Sequence, residues 1–358
     1  MIVSNFSRLC AVLGIASTAA WAQVAAPVLG LLPDRGHIFP VNGIPASASV
    51  APALDFGGAQ FLQIAISPRQ DFALVSAADT GAVLLAYPDG TTTPVTGLDA
   101  HPDAIVLSPL GSAAVLWFAS PRLLEIVSGL PGSPVVRQVN ASFLSTASSG
   151  AAHDATQSDV PASLAVSDDG AWGAGAWPSG VWGFGPNGEV RSLLAGDRAF
   201  ALAFFAGRQD LAAATRIGVF SISDVGGSAA VSTLFAAPTG PGSSGLGPLP
   251  TGLGISTDNR RLVMADSAGG VVTLDLSSGL AVRIDCGCAP DGVLSMGGSL
   301  FRITGLTGSV FRIFDAAAGS VYLAPLAPGN APSGGSPPRR GQLSGSGGAG
   351  DRLTGGRP

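Results

Sequence analysis

The chain has 358 residues, of which 46% are hydrophobic and 11% charged, and 51 are Gly. Its formal net charge is −5, and all 18 basic residues are Arg. This balance argues against a nucleic-acid partner, because nucleic-acid-binding domains concentrate positive charge on one surface. The length allows two or three ordinary domains or one large all-β domain.

The first 22 residues are predicted to be a secretory signal peptide. Arg8 supplies an early positive charge, an apolar run extends from Leu9 to Ala20, and small residues stand at Ala20 and Ala22. We expect cleavage before Gln23 and a secreted or periplasmic protein, with a buried N-terminal helix as the alternative. No later segment reaches the roughly 18 apolar residues of a membrane-spanning helix, so no membrane span is predicted.

One pattern recurs between residues 61 and 326. A short apolar run ends in a small residue, a polar or Gly-bearing turn follows, and a second apolar run begins. These small residues are Ser67, Ser108, Ser167, Ala206, Ser256 and Ser295. A Gly-containing turn, such as "YPDG" or "GPNG", then separates two further strand-like runs. Gly, Asn and Asp suit these turns because they tolerate positive φ, so each unit is predicted to contain four antiparallel strands.

Four-stranded units repeating about every forty residues are typical of the blades of a β-propeller. A blade has two apolar faces and cannot bury them alone, so the blades close into a ring. We therefore predict an all-β propeller of six or seven four-stranded antiparallel blades within residues 23–327. The segment Val28–Ile44 looks like the outer hairpin of another blade. It either adds outer strands that help close the ring or belongs to a seventh blade whose inner half is not recognisable.

The turns carry a family resemblance. Ser67-Pro68, Ser108-Pro109 and the run Ser167–Gly170 are similar to the Ser-Pro-Asp-Gly hairpins of YVTN-type and WD-repeat-like propellers of secreted bacterial proteins. The resemblance covers most of residues 61–326 but is degenerate, since no blade ends in Trp-Asp and no YVTN tetrapeptide occurs. It implies a fold and transfers no chemistry.

Residues 328–358 are rich in Gly, Pro and Ser and contain few apolar residues. Such a composition cannot bury enough surface to offset the entropy of ordering, so this tail is predicted to be disordered. The tail has a net charge of +3. Removing it together with Arg8 leaves a folded part of about −9, which strengthens the argument against nucleic acid.

Candidate binding residues lie in the loops on one face of the predicted propeller. The loops between the second and third strands and the connections between blades meet on one face, which we call the rim, and loops carry much of the function of a scaffold. The second-to-third loops contribute Asp79, Arg122, Trp177, Arg216 and Asp266, and the blade-to-blade loops contribute His101, Asp103, His153, Asp154 and Asp159. For each of them, a solvated loop residue is the competing interpretation.

Metal and cofactor sites are not predicted. His37, His101 and His153 are the only histidines and show no ligand spacing for zinc. Two alternatives stay open: a zinc site that loops of different blades assemble at the rim, and calcium held by Asp79, Asp266 and backbone carbonyls, although no stretch has the spaced acidic residues of a calcium loop.

Cys286 and Cys288 are the only cysteines of the predicted mature chain. In an oxidising compartment we expect them to form a tight local disulfide, for which Gly287 supplies backbone freedom. A reduced, unreactive pair is the alternative.

No catalytic motif is present. The chain has no Gly-x-Ser-x-Gly elbow followed by a helix, and its only glutamates are Glu125 and Glu189. The leading hypothesis is a monomeric, secreted binding or scaffold protein that holds a protein, peptide or glycan on the rim. The first alternative is a propeller hydrolase or lactonase with an Asp/His site at the mouth of the channel. A structural part of the cell envelope is the second.

Overall fold

The structure, a computed structural model, describes residues 27–141, 160–237, 249–305 and 310–325. The predicted signal peptide (1–22) and the predicted disordered tail (328–358) lie outside these ranges. The described chain forms 27 strands and one short 3-10 turn at Pro45–Ser47. No helix in the described ranges is long and apolar enough to span a membrane.

The strands form seven antiparallel sheets, which we number as blades 1 to 7 in chain order. Blade 1 contains β1 (Val28–Asp34), β2 (His37–Asn42) and β3 (Ser49–Val50). Blade 2 contains β4 (Phe61–Ile66), β5 (Ala73–Ala77), β6 (Val83–Ala86) and β7 (Thr92–Pro94). Blade 3 contains β8 (Ala104–Leu107), β9 (Ala113–Phe118), β10 (Leu123–Ser128) and β11 (Val135–Asn140). Blade 4 contains β12 (Ser163–Val166), β13 (Gly173–Trp177), β14 (Gly180–Phe184) and β15 (Val190–Ala195).

The remaining blades follow the same order. Blade 5 contains β16 (Ala199–Phe204), β17 (Leu211–Thr215), β18 (Gly218–Ser223) and β19 (Ala230–Ala236). Blade 6 contains β20 (Pro250–Ile255), β21 (Arg261–Asp266), β22 (Gly270–Asp275) and β23 (Ala281–Asp285). Blade 7 contains β24 (Gly292–Ser295), β25 (Leu300–Thr304), β26 (Val310–Asp315) and β27 (Ser320–Pro325). The predicted β-propeller is confirmed, and the number of blades is seven.

The core lies between blades and not within them. Seven apolar clusters each combine side chains from two neighbouring blades, and together they run once around the ring. Blades 7 and 1 share one cluster, and blades 1 and 2 share the next. The first strand of each four-stranded blade lines a central channel. The rim lies at one end of this channel. The opposite end carries the turns between the first and second strands and between the third and fourth strands of the blades, and we call it the turn face.

The serine that follows the inner strand has the same hydrogen-bonding role in three blades. Ser256 is buried, and its hydroxyl accepts the amide of Arg261 (2.9 Å) and donates to Asp258 (2.6 Å). The hydroxyls of Ser108 and Ser167 likewise accept the amide five residues further along. The serine thereby satisfies a buried amide at the start of the second strand and fixes the turn.

Arginines on outer strands tie blades together. Arg137 of β11 donates to the carbonyls of Gly185 (2.6 Å) and Ala171 (3.0 Å) in blade 4. Arg191 of β15 donates to Gly227 O of blade 5 (2.7 Å) and lies 4.7 Å from the ring centroid of Trp172. These contacts fasten blades near the turn face, where each arginine covers the turns of the next blade.

Blade 1 closes the ring in an unusual orientation. Leu31 and Pro33 of β1 line the channel, and the turn after β1 meets the start of β4, where Phe61 N donates to Gly36 O (3.1 Å). β1 therefore runs antiparallel to the inner strands of the other six blades. Its direction is that of the second strand in each of those blades. In the described part of the chain, no strand of blade 1 lies on the inner side of β1.

The interpretation of Val28–Ile44 as an outer hairpin is wrong, because β1 lies at the channel. The "PDRG" turn resembles the outer turns of other blades in composition, yet it joins β1 to β2 on the rim. Two side chains from neighbouring blades contact the inner edge of β1. Gln70 Oε1 accepts the amide of Leu31 (2.7 Å), and Arg302 Nη1 donates to Pro33 O (3.2 Å).

Replacing Ser256 with Ala is expected to lower the free energy of unfolding by about 1–3 kcal/mol, because the buried amide of Arg261 loses its acceptor. Urea unfolding followed by tryptophan fluorescence measures the change. Ser228→Ala removes an exposed hydroxyl and serves as the control, with an expected change within about 0.5 kcal/mol. Equal effects of the two substitutions would contradict the role assigned to the buried serine.

Candidate functional site

Three of the predicted site residues lie on the rim in second-to-third loops. Asp79 and Arg216 are exposed, and Arg122 is half-buried. The Asp79 carboxylate accepts hydrogen bonds from the amide (2.8 Å) and hydroxyl (3.3 Å) of Thr80. Arg122 has a positive φ of 68°, and its carbonyl accepts the amide of Ala141 (3.0 Å). These three residues share one face because equivalent loops of blades 2, 3 and 5 carry them.

His101 and Asp103 lie in the connection between blades 2 and 3, and each is held by a neighbouring loop. The His101 ring lies directly over Gly81, where a Cβ atom would collide with it, and His101 N donates to Gly81 O (3.0 Å). Asp103 Oδ2 accepts the amide of Ala119 (2.7 Å), and its own amide donates to Trp117 O (2.8 Å). Both side chains are thus positioned by backbone contacts within the rim.

Trp177 was expected on the rim but is a core residue. It is the last residue of β13, is only 4% exposed, and packs edge-on against Trp117 and Phe184 with ring centroids 6.1 and 5.8 Å apart. Its indole lies over Gly175, two residues earlier on the same face of the strand. A glycine two positions before a strand-ending tryptophan is the sequence signal of this burial.

Asp266 was also predicted as a rim ligand, yet it is fully buried. Both of its carboxylate oxygens bind the guanidinium of Arg283 on the outer strand β23, and Oδ1 also accepts the amide of Ala268 (2.8 Å). Its charge is therefore already paired within blade 6. Asp266 was one of the two carboxylates considered as calcium ligands, and this ion pair already occupies both of its oxygens.

His153, Asp154 and Asp159 lie outside the described residues, so their roles stay predictions. Within the described ranges, no group of three or more His, Cys, Asp or Glu side chains is arranged to hold a metal ion. The hydrolase hypothesis required His101, His153 and an acid to converge. No contact in the described chain favours it, since His101 packs on Gly81 and Asp103 binds the amide of Ala119.

Glu125 was not recognised as a site residue. It is fully buried on β10, where Oε1 accepts from Gln138 Nε2 (2.7 Å) and Oε2 accepts the amide of Asp99 (3.0 Å). Asp99 belongs to the connection that carries His101 and Asp103, so Glu125 holds this part of the rim in place. Burial raises the pKa of the Glu125 carboxyl above its usual value of 4.5, although hydrogen bonds from Gln138 and Asp99 oppose the shift.

Cys286 and Cys288 are joined by a disulfide, with Cα atoms 5.1 Å apart. The pair lies in the connection between blades 6 and 7, beside the loop at Gly269. Cys286 is buried and Cys288 half-buried, so the disulfide constrains this one connection locally and presents little sulfur to solvent.

The channel contains two adjoining cavities. One of about 350 Å³ opens at the rim, and the other, of about 220 Å³, lies toward the turn face. A ring of apolar side chains that lines both cavities is called the waist. It consists of Val106, Leu164, Leu202, Leu253, Val293 and Leu294. Among the described residues, Asp103 is the one charged residue lining the outer cavity and Arg302 the one lining the inner cavity.

Exposed apolar side chains surround the opening at the rim. Leu62 is 60% exposed at the start of β4, and Val160 is 49% exposed just before β12. Ile217 is 52% exposed in the second-to-third loop of blade 5, next to Arg216. The rim therefore carries exposed apolar side chains as well as charged loop residues, and Val160 lines the outer cavity.

Comparison with known proteins supports the fold alone. No protein-family model matches the chain, and no curated protein matches it. Among solved structures, the chain is similar to the β-propeller domain of Cps50 (Swd1) from Myceliophteria thermophila, with a TM-score of 0.51 and 10% sequence identity. The similarity covers 80% of this chain and 96% of that domain. It supports the propeller architecture and carries no activity or partner over.

Replacing Glu125 with Gln is expected to change how stability depends on pH. Because its folded pKa is raised, ionisation of Glu125 destabilises the folded state. The unfolding free energy of the wild type is therefore expected to fall, relative to Glu125→Gln, as pH rises from about 4.5 through the folded pKa. Urea unfolding of both proteins between pH 4 and 8 measures this difference.

Glu189→Gln is the matched control. Glu189 is held by its own amide and that of Asn187, which lowers its pKa, so the wild type is expected to gain stability relative to this variant as pH rises. Parallel pH profiles for the two variants would contradict the assignment of Glu125 as a desolvated carboxyl.

Proposed function

We propose that this propeller is a binding or scaffold protein that holds a protein or peptide partner on its rim, above the mouth of the channel. The observation that carries the proposal is the presence of three exposed apolar side chains on the rim, Leu62, Val160 and Ile217, together with the charged loop residues Asp79 and Arg216 on the same face. An apolar centre with a polar margin is the usual arrangement of a protein interface. Trp177, the one tryptophan among the predicted rim residues, is buried and not available to stack on a sugar, which favours a protein or peptide over a glycan.

Export from the cytoplasm is part of the same proposal. The N-terminal leader is typical of secretion, and the turns resemble those of YVTN-type propellers. The disulfide between Cys286 and Cys288 supports an oxidising location, since disulfides persist mainly outside the cytosol.

A rim variant provides the first test. Peptides are selected from a displayed random library against the immobilised protein, and their dissociation constants are measured by fluorescence polarisation. Leu62→Asp is expected to weaken the selected peptides by about tenfold or more, because it places a charge in the apolar centre of the surface. Ile217→Asp is expected to act in the same direction.

Leu280→Asp is the matched control, because Leu280 is 64% exposed but lies in a turn between β22 and β23 on the turn face. It is expected to leave peptide affinity unchanged. Peptides that respond equally to the Leu62 and Leu280 substitutions, or only to the latter, would contradict binding at the rim.

Processing of the leader is tested by expressing the full chain in a bacterial host and sequencing the periplasmic product. The mature N-terminus is expected at Gln23, and alkylation of the unreduced product is expected to find no free thiol, because Cys10 leaves with the leader. Ala22→Arg removes the small residue before the cleavage site and is expected to block processing. A cytoplasmic product that begins at Met1 would refute the proposed export.

A further inference from the structure

Arg302 is a cation placed in the wall of an apolar cavity. It belongs to β25, the second strand of blade 7, and lines the inner cavity beside Leu31 and Pro33 of β1. It reaches this position because, among the described residues, no strand of blade 1 covers the inner edge of β1. In a complete blade, an additional strand would pair with the edge of β1 that Arg302 now contacts.

The hydrogen bonds of this guanidinium are incomplete. Nη1 donates to Pro33 O (3.2 Å), whereas Nε is buried and has no acceptor in the described chain, and Nη2 donates to none there. The ring centroid of Phe311 lies 5.6 Å from Cζ on one side. A guanidinium has five donor hydrogens, so most of its capacity is unused.

The charge of Arg302 is also poorly compensated. Burial lowers its pKa to about 10, although Asp34 and Asp291 favour the charged form. Both acids are exposed, neither forms an ion pair with Arg302, and Asp291 accepts the hydroxyl of Thr304 (2.7 Å). An incompletely paired cation in an apolar wall is costly unless a ligand supplies the counter-charge.

The cavity around Arg302 fits an apolar body. Its volume is about 220 Å³, and it continues through the waist into the outer cavity of about 350 Å³. An apolar protein cavity of about 150 Å³ is large enough for benzene, so this channel accommodates an eight-carbon chain. Leu294 is 50% exposed and lines both cavities, so an apolar ligand that reaches Arg302 from the rim passes its side chain.

We propose that the channel binds a small carboxylate with an apolar body, whose carboxylate pairs with Arg302 and whose body lies along the waist. Guanidinium and carboxylate match in geometry, and the Nη2 donor, which has no acceptor in the described chain, is available for a charge-assisted hydrogen bond to the ligand. The apolar lining excludes a strongly hydrated anion such as chloride or acetate, because it offers no replacement for bound water. This ligand site is independent of the partner proposed for the rim.

Isothermal titration calorimetry with octanoate tests the site. The wild type is expected to bind one octanoate per chain, at least about tenfold more tightly than 1-octanol or acetate, since each control ligand lacks one half of the recognition. Arg302→Gln is expected to weaken octanoate binding by about ten- to a hundredfold. Arg260→Gln, which removes an exposed arginine on a turn, is the matched control and is expected to leave binding unchanged.

Leu294→Trp provides a second, independent variant. The larger side chain is expected to fill the waist and abolish octanoate binding without altering Arg302, and its circular dichroism and urea midpoint report whether the fold is retained. Loss of binding in both variants supports the proposal. It is overturned if the wild type binds no octanoate at millimolar concentration. It is also overturned if Arg302→Gln or Leu294→Trp binds octanoate as tightly as the wild type does. The same holds if the wild type binds 1-octanol as tightly as octanoate.

Discussion

Burial of both faces of every blade is the constraint on which this structure depends. Each of the seven apolar clusters takes side chains from two neighbouring blades, so each blade is stable only between two others. Blade 1 completes the circle with three strands and contacts blades 7 and 2. Closure then sets the inner strands around a channel and gathers equivalent loops on one rim, so the candidate binding surface is a consequence of how the core is buried.

The blade pattern was predictable because it depends on local chemistry. All six hairpins predicted from the small residues at positions 67, 108, 167, 206, 256 and 295 are present, each small residue standing at or just after the end of an inner strand. A buried serine hydroxyl that satisfies an amide five residues away needs only sequence neighbours. The rim positions of Asp79, Arg122 and Arg216 follow from the same regularity, because their loops occupy equivalent places in successive repeats.

Features that depend on distant contacts were not predictable. The burial of Asp266 is explained by Arg283, which lies two strands away in blade 6, and an acid at the end of a strand gives no sign of such a partner. The direction of β1 depends on contacts with Phe61 and Gln70, whereas its "PDRG" turn fits either kind of hairpin. Arg302 therefore had no expected role, since its exposure to the channel arises only from the orientation of blade 1.

The reversed course of β1 has a topographic consequence for the two ends of the described chain. Val28 begins β1 near the turn face, two residues before Gly30, which lies against Gln70 and Met296, whereas β27 ends at Pro325 on the rim. The polypeptide therefore enters and leaves the ring through opposite faces. A segment attached after Pro325 starts on the rim side at the outer edge of blade 7, while one attached before Val28 starts on the turn face, so a molecule tethered to a surface through its beginning displays the rim outward.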